Sequence, residues 1–144
     1  MTQSETFTFL KRPKTYKVWL EGQEDYYVFI TRFKPGQAKY VFKQSAEKAL
    51  GAPIEYRNIR ARSMRTVLDS VQVNHVASYR NIPAKNGMKC EVNGKLGFIV
   101  GAAWDGAWLE VQYYRTSKTM YFHPQADRCK LFDDDGNVIW ENQL

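Results

Sequence analysis

The sequence predicts an α+β fold, a strand–strand–helix–strand unit followed by a small antiparallel β-barrel, and three observations carry that expectation. Tyr16, Val18 and Leu20 alternate with Lys17, Trp19 and Glu21, the period of a half-buried strand. Ala38, Val41, Phe42, Ser45, Ala46 and Ala49 recur at spacings of three and four, the period of an amphipathic helix. From Met88 onward, short apolar runs alternate with turn residues, beginning with the hairpin dipeptide Asn93-Gly94.

The N-terminal elements follow in order. Residues 1–13 lack periodicity and read as a loose leader. Thr15 to Glu21 is the first strand, and the polar stretch Gly22 to Asp25 is a turn. Tyr26 to Phe33 is β-branched and aromatic on both faces, which predicts a central strand paired to the first as a hairpin. Pro35-Gly36 stops that strand and suits the start of the helix Gln37 to Leu50, which Gly51 and Pro53 terminate. Ile54 to Met64 returns to strand composition. Residues 1–65 thus form a basic α+β unit. Residues 66–86 form a connector, in which Val67, Leu68, Val71 and Val73 fit either a short helix or an extended segment.

Residues 87–144 read as five or six strands. Met88 to Val92 and Lys95 to Ala102 flank Asn93-Gly94, whose residues tolerate the positive φ of a two-residue turn. Gly97 and Gly101 permit a bend or bulge in the second strand. Trp104 to Gly106 is a turn, and Ala107 to Tyr114 is a strand. Thr119 to His123 is the next strand, broken by Pro124. Arg128 to Phe132 and Val138 to Trp140 flank Asp133-Asp134-Asp135-Gly136-Asn137. So many short strands suit a closed or partly open barrel.

The run from Met88 through Asn93-Gly94, Lys95-Leu96-Gly97 and Phe98-Ile99-Val100-Gly101 resembles the opening of SH3-like barrels of the KOW type. The tail, with its His123-Pro124 step and Asp-Gly hairpin, is similar to barrels of small uncharacterised phage and prophage proteins. The resemblance covers the last third of the chain. It implies an SH3-like barrel and a binding role towards RNA or protein; a phage-encoded chain would reside in the host's cytoplasm.

Composition excludes several classes. No apolar run approaches the roughly 20 residues of a membrane span, so no membrane partner is expected. Met1 to Phe9 shows no basic start with an apolar stretch behind it, which favours the cytoplasm. Cys90 and Cys129 are too few for a disulfide scaffold or a four-ligand zinc site. Each reads as a small buried hydrophobe, and pairing would require facing strands. Asp133 to Asp135 lack the alternate spacing of a calcium loop and read as a solvated turn, so no metal or cofactor is expected. No catalytic motif accompanies His75 or His123, and the chain is read as a non-enzyme.

Charge is more informative. Residues 1–65 carry 13 Lys/Arg against 6 Asp/Glu, a net of +7, whereas residues 87–144 carry 6 against 8, a net of −2. Lys14 and Lys17 lie on the first strand, with Lys11 and Arg12 just before it. Arg57, Arg60, Arg62 and Arg65 lie on or after the third, and Tyr16, Trp19 and Tyr56 are interleaved. Cations release counterions from phosphates, and aromatic rings stack on unpaired bases. The expected activity is therefore binding of DNA or RNA backbone with low sequence preference through Lys14, Lys17, Arg57, Arg60, Arg62 and Arg65. A solvated basic face is the bland alternative. Trp104, beside Asp105-Gly106 at a loop tip, and Trp108 are candidate protein contacts, or else lids on the core. They support the second expectation, a protein-interaction factor such as a phage-encoded inhibitor of a host enzyme or defence complex.

Overall fold

The computed structural model describes residues 12–114 and 116–142. The chain is α+β and divides into two units, Pro13–Leu68 and Asp69–Leu144, with Arg12 belonging to the second.

In the first unit, β1 (Lys14–Leu20), β2 (Val28–Arg32) and β3 (Ile59–Ser63) form an antiparallel sheet of order β2-β1-β3. Helix α1 (Pro35–Leu50) connects β2 to β3, with a 3₁₀ turn at Tyr56–Asn58 before β3. Pro35 occupies the first turn of α1, where its missing N–H costs nothing. Gly51 ends it at φ 68°, donating its N–H to the Glu47 carbonyl. Pleat alternation sends Tyr16 and Val18 to one face, where they bury against Ala38 of α1 and Ile59 of β3. Leu20, Ile30, Phe42, Ile54 and Ala61 pack around them. Burial pushes the Tyr16 phenol pKa up.

The expected central strand, Tyr26 to Phe33, is instead an edge strand, because β1 holds the middle of the sheet. Its second apolar face is not core: Tyr27 and Phe29 remain exposed. Aromatic residues on both faces mimicked the pattern of a doubly buried strand.

In the second unit, α2 (Val71–Arg80) precedes β4 (Lys89–Val92), β5 (Lys95–Ala103), β6 (Trp108–Tyr113), β7 (Thr119–Phe122), β8 (Cys129–Phe132) and β9 (Val138–Glu141). The sheet order is β7-β6-β5-β4-β8-β9, antiparallel throughout. Asn93 (φ 52°) and Gly94 (φ 84°) make the β4–β5 turn. The register of β5 on β6 shifts between Ile99 and Gly101, a bulge at Val100. At Gly97 a Cβ would meet the Gln112 carbonyl oxygen at 2.6 Å, so glycine lets the two backbones approach.

The sheet does not close into the expected barrel: among the described residues β7 and β9 are its unpaired ends. Closure is not needed to cover the apolar face, because α2 covers it. Val73, Val76 and Ala77 join Cys90, Val92, Ile99, Leu109, Val111, Phe122, Cys129 and Leu131 in one core. Residues 66–86, read from sequence as a connector, thus contain a helix of the second unit's core. Its ends carry ordinary caps. The Ser70 hydroxyl accepts the Val73 N–H at 3.2 Å, and Asn81 closes the helix at φ 53°.

Candidate nucleic-acid interface

The sheet of the first unit has one face under α1 and one face that α1 leaves open. Residues directly opposite across antiparallel strands share a face. Lys17 stands opposite Phe29 on β2 and opposite Arg62 on β3, so these three form a row across the sheet. Trp19 and Arg60, also paired, form the next row on the same face. The Tyr27 ring lies beside Phe29, 5.2 Å between centroids in an edge contact. Thr15 and Thr31 pair in the row beyond Lys17, their hydroxyls 2.9 Å apart and buried. There the chain after β3 crosses the face, the Leu68 N–H reaching the Thr15 hydroxyl at 2.8 Å.

The cations on this unit are not equivalent. The Lys17 ammonium is 3.5 Å from Glu24 and sits over two rings, 4.5 Å from the Tyr27 centroid and 5.6 Å from that of Trp19. Only 15% of its side chain is exposed, so it is part of the packing of this face. Arg60 bonds Glu21 at 2.9 Å and the Arg57 carbonyl at 2.6 Å. Arg57 is in the 3₁₀ turn, off the sheet, and pairs with Glu55 at 2.5 Å. Arg62 is exposed and has no carboxylate partner among the described residues.

Arg65 follows β3 in the left-handed region, φ 70°, its N–H held by the Ser63 hydroxyl at 3.0 Å. It too is exposed and has no carboxylate partner among the described residues. Lys14, opposite Arg32, falls by alternation on the side of Tyr16 and Val18, away from Lys17.

The structure therefore brings together Lys17, Arg60 and Arg62, and leaves Lys14 and Arg57 outside the face. Of the interleaved aromatics, Trp19 is on this face, Tyr16 is in the core, and Tyr56 lies in the 3₁₀ turn beneath Lys39. Tyr27 and Phe29 join the face although sequence reasoning placed them in a central strand. The signal available was the turn before them: Gly22 to Asp25 makes a hairpin whose register sets Phe29 against Lys17.

The two tryptophans lie on the second unit. Trp104 is 53% exposed and stacks on His75 of α2, with ring centroids 4.0 Å apart and planes 10° from parallel. Trp108 is 37% exposed and meets the His123 ring edge-on at 5.5 Å. Arg80 holds the turn between them, donating to the Gly106 carbonyl at 2.6 Å and the Ala107 carbonyl at 2.7 Å. Its guanidinium also bonds Gln125 and approaches His123 Nε2 at 3.1 Å. Gly106 (φ 78°) underlies the Trp108 indole, where a Cβ would stand 2.2 Å from Nε1.

Asp133 holds its own turn: Oδ1 accepts the N–H groups of Asp135 at 3.0 Å and Asn137 at 2.9 Å. Those bonds keep its carboxyl below the usual range. Asp134 pairs with Arg12 at 2.9 Å, and the Lys89 ammonium donates to the Asp134 carbonyl at 2.8 Å. Among the described residues no group of His, Cys, Asp and Glu side chains is arranged to hold a metal ion. None of the described helices is long and apolar enough to cross a membrane. Compared with protein-family models, with curated proteins and with solved structures, the chain matches none.

Proposed function

We propose that this chain is a non-catalytic, phage-type accessory protein that holds nucleic-acid backbone through the basic surface of its first unit. The single observation that carries this reading is the row Phe29–Lys17–Arg62, which sets on one sheet face, the one α1 leaves open, an exposed aromatic ring and an exposed guanidinium with no carboxylate partner among the described residues. The charge of the unit supports it. Residues 13–68 hold 11 Lys/Arg against 5 Asp/Glu, a net of +6, while residues 69–144 hold 8 against 9, a net of −1. A field of that sign concentrates polyanions on one half of the chain. Phosphate contacts position a protein without reading sequence, so little base preference is expected. For the second unit, the finer fold proposal remains kinship with SH3-like barrels of the KOW type, resting on residues 88–102.

The test is a salt titration of binding to mixed-sequence DNA and RNA. Affinity falls by about 0.7–0.9 log units per decade of salt for each phosphate neutralised. Absence of binding at low salt removes this proposal. It would bring forward a protein-interaction factor, such as a small inhibitor of a host enzyme or defence complex, for which the exposed Trp104 and Trp108 supply contact surface.

A further inference from the structure

The face of the first sheet that α1 leaves open is more specific than a positive patch. Phosphate binding alone needs cations on flexible stems, and explains neither three aromatic residues on the same face nor the cation packed among them. Phe29 is 49% exposed and Tyr27 44%, yet both sit on or beside a hydrogen-bonded strand pair that fixes their backbone. Trp19, half-buried, lies on the adjacent strand. The Lys17 ammonium, over the Tyr27 and Trp19 rings and tied to Glu24, fastens those two rings to the sheet.

The charges divide along the face. At the Trp19 end, Glu21 and Glu24 are engaged by Arg60 and Lys17. Further along the face, Arg62 is exposed and has no carboxylate partner among the described residues, so the uncompensated charge there is positive. Rings fixed on a flat surface with an exposed guanidinium along one side match a polymer with flat apolar faces and a negative backbone. A duplex offers only the second of these, because its bases are stacked on one another.

We propose that this face is a stacking platform for single-stranded nucleic acid, with Phe29, Tyr27 and Trp19 meeting unpaired bases and Arg62 meeting the phosphates. The proposal rests on the backbone-binding function above and narrows its ligand to unpaired strands, DNA or RNA. Strands lie about 4.8 Å apart and residues two apart on a strand about 7 Å, so the platform accommodates two or three bases.

The experiment uses the full chain and four fluorescent probes of matched length, about 12 nucleotides: a mixed-sequence DNA strand, its RNA equivalent, the DNA duplex, and an abasic deoxyribose-phosphate strand. Binding is followed at low salt for wild type, Phe29→Leu, Phe29→Tyr and Arg62→Ala, with circular dichroism to verify the fold. The expected result is tighter binding to the base-bearing single strands than to the duplex or the abasic strand. Phe29→Leu should lower single-strand affinity by about 5- to 100-fold and leave abasic binding unchanged. Phe29→Tyr should restore it, and Arg62→Ala should weaken all four probes. The DNA and RNA arms distinguish the two sources of unpaired base. Equal binding of single, duplex and abasic strands, insensitive to Phe29→Leu, overturns the platform and leaves backbone binding standing. Failure of every probe to bind overturns both.

Discussion

The Lys17 ammonium lies 4.5 Å from the centre of the Tyr27 ring while its stem rises from the strand position opposite Arg62. One cation is thus consumed in organising the aromatic face, and its exposed cross-strand neighbour has no carboxylate partner among the described residues. Lys17→Met retains the apolar stem and removes the charge. The expected cost is about 0.5–1 kcal/mol of stability, the value of a partly shielded cation–π contact. Urea unfolding checks it, and an unchanged midpoint would show that the ammonium does not fasten the rings.

Arg60 and Arg62 share a face but not a state. Arg60 is held by Glu21 at 2.9 Å, whereas Arg62 has no carboxylate partner among the described residues. For nucleic-acid binding, Arg62→Ala should therefore cost more than Arg60→Ala and lower the salt slope by about one phosphate's worth. Glu21→Gln should strengthen binding, because it removes a negative charge and frees a guanidinium. Salt titrations of the three variants side by side decide the order, and a weaker Glu21→Gln protein would contradict it.

Much of this face is legible in the sequence, and the limits are physical. The alternation of Lys17, Trp19 and Glu21 against Tyr16, Val18 and Leu20 is local, and the structure keeps it. Which strand lies in the middle is not local. β1 pairs with β2 through a hairpin but with β3 across the whole of α1, and only that long-range pairing brings Arg60 and Arg62 beside Trp19 and Lys17. Phe29 misleads because an exposed aromatic reads like a buried one. In residues 66–86 the informative set was Val73, Val76 and Ala77, at helical spacing between Ser70 and Asn81. Valines attached to no obvious partner read equally as extended chain. A closed or partly open barrel was expected from strand number, tight turns and the resemblance of residues 88–102, and a helix that covers the same apolar face removes the need for closure. Ion pairs such as Arg60–Glu21 depend on side-chain placement that no periodicity encodes.

Two glycines of the second sheet test its geometry by different routes. At Gly97 an added Cβ meets the Gln112 backbone oxygen at 2.6 Å and Val111 Cγ2 at 2.7 Å. Gly97→Ala should cost about 1–3 kcal/mol through overpacking between β5 and β6. Gly94 faces open space but has φ 84°, so Gly94→Ala should cost about 1–2 kcal/mol through backbone strain alone. Urea midpoints at constant m-value measure both. A neutral Gly97→Ala would mean that β5 and β6 do not approach as closely as described.

Asp133 links stability to acid. Its carboxyl sits below its ordinary value, first because of the Asn137 backbone N–H, then through further bonds within the turn. The depressed value favours the ionised form in the folded chain. The contribution is therefore present in full above the ordinary value of 3.8 and is lost as pH falls below it through the folded value. Asp133→Asn keeps an oxygen to accept the Asp135 and Asn137 N–H groups but does not titrate. Thermal melts of both proteins from neutral pH downward should converge at low pH, with wild type losing more. Parallel acid limbs would remove Asp133 from the account.

Cys90 and Cys129 lie on neighbouring strands, Cys90 opposite Leu131 and Cys129 opposite Val92, so the thiols are diagonal on the core face rather than directly paired. Both are free and buried. Burial pushes the Cys129 thiol from its ordinary value of 9.0 to about 12, with Asp127 adding to the rise, and burial raises Cys90 as well. Since the thiolate is the reacting form, neither cysteine should react with an excess of an aromatic disulfide reagent at neutral pH while the chain is folded. Both should react at once in urea. Any slow reaction without urea should track the opening of the second unit, and should accelerate in Gly97→Ala in proportion to the stability that variant loses. The raised values favour the neutral thiols in the folded state. Their contribution is present below pH 9.0 and is lost as pH rises from there towards about 12. Cys129→Ala should accordingly flatten the alkaline limb of the stability profile, and rapid modification of the folded wild type would place at least one thiol outside the core.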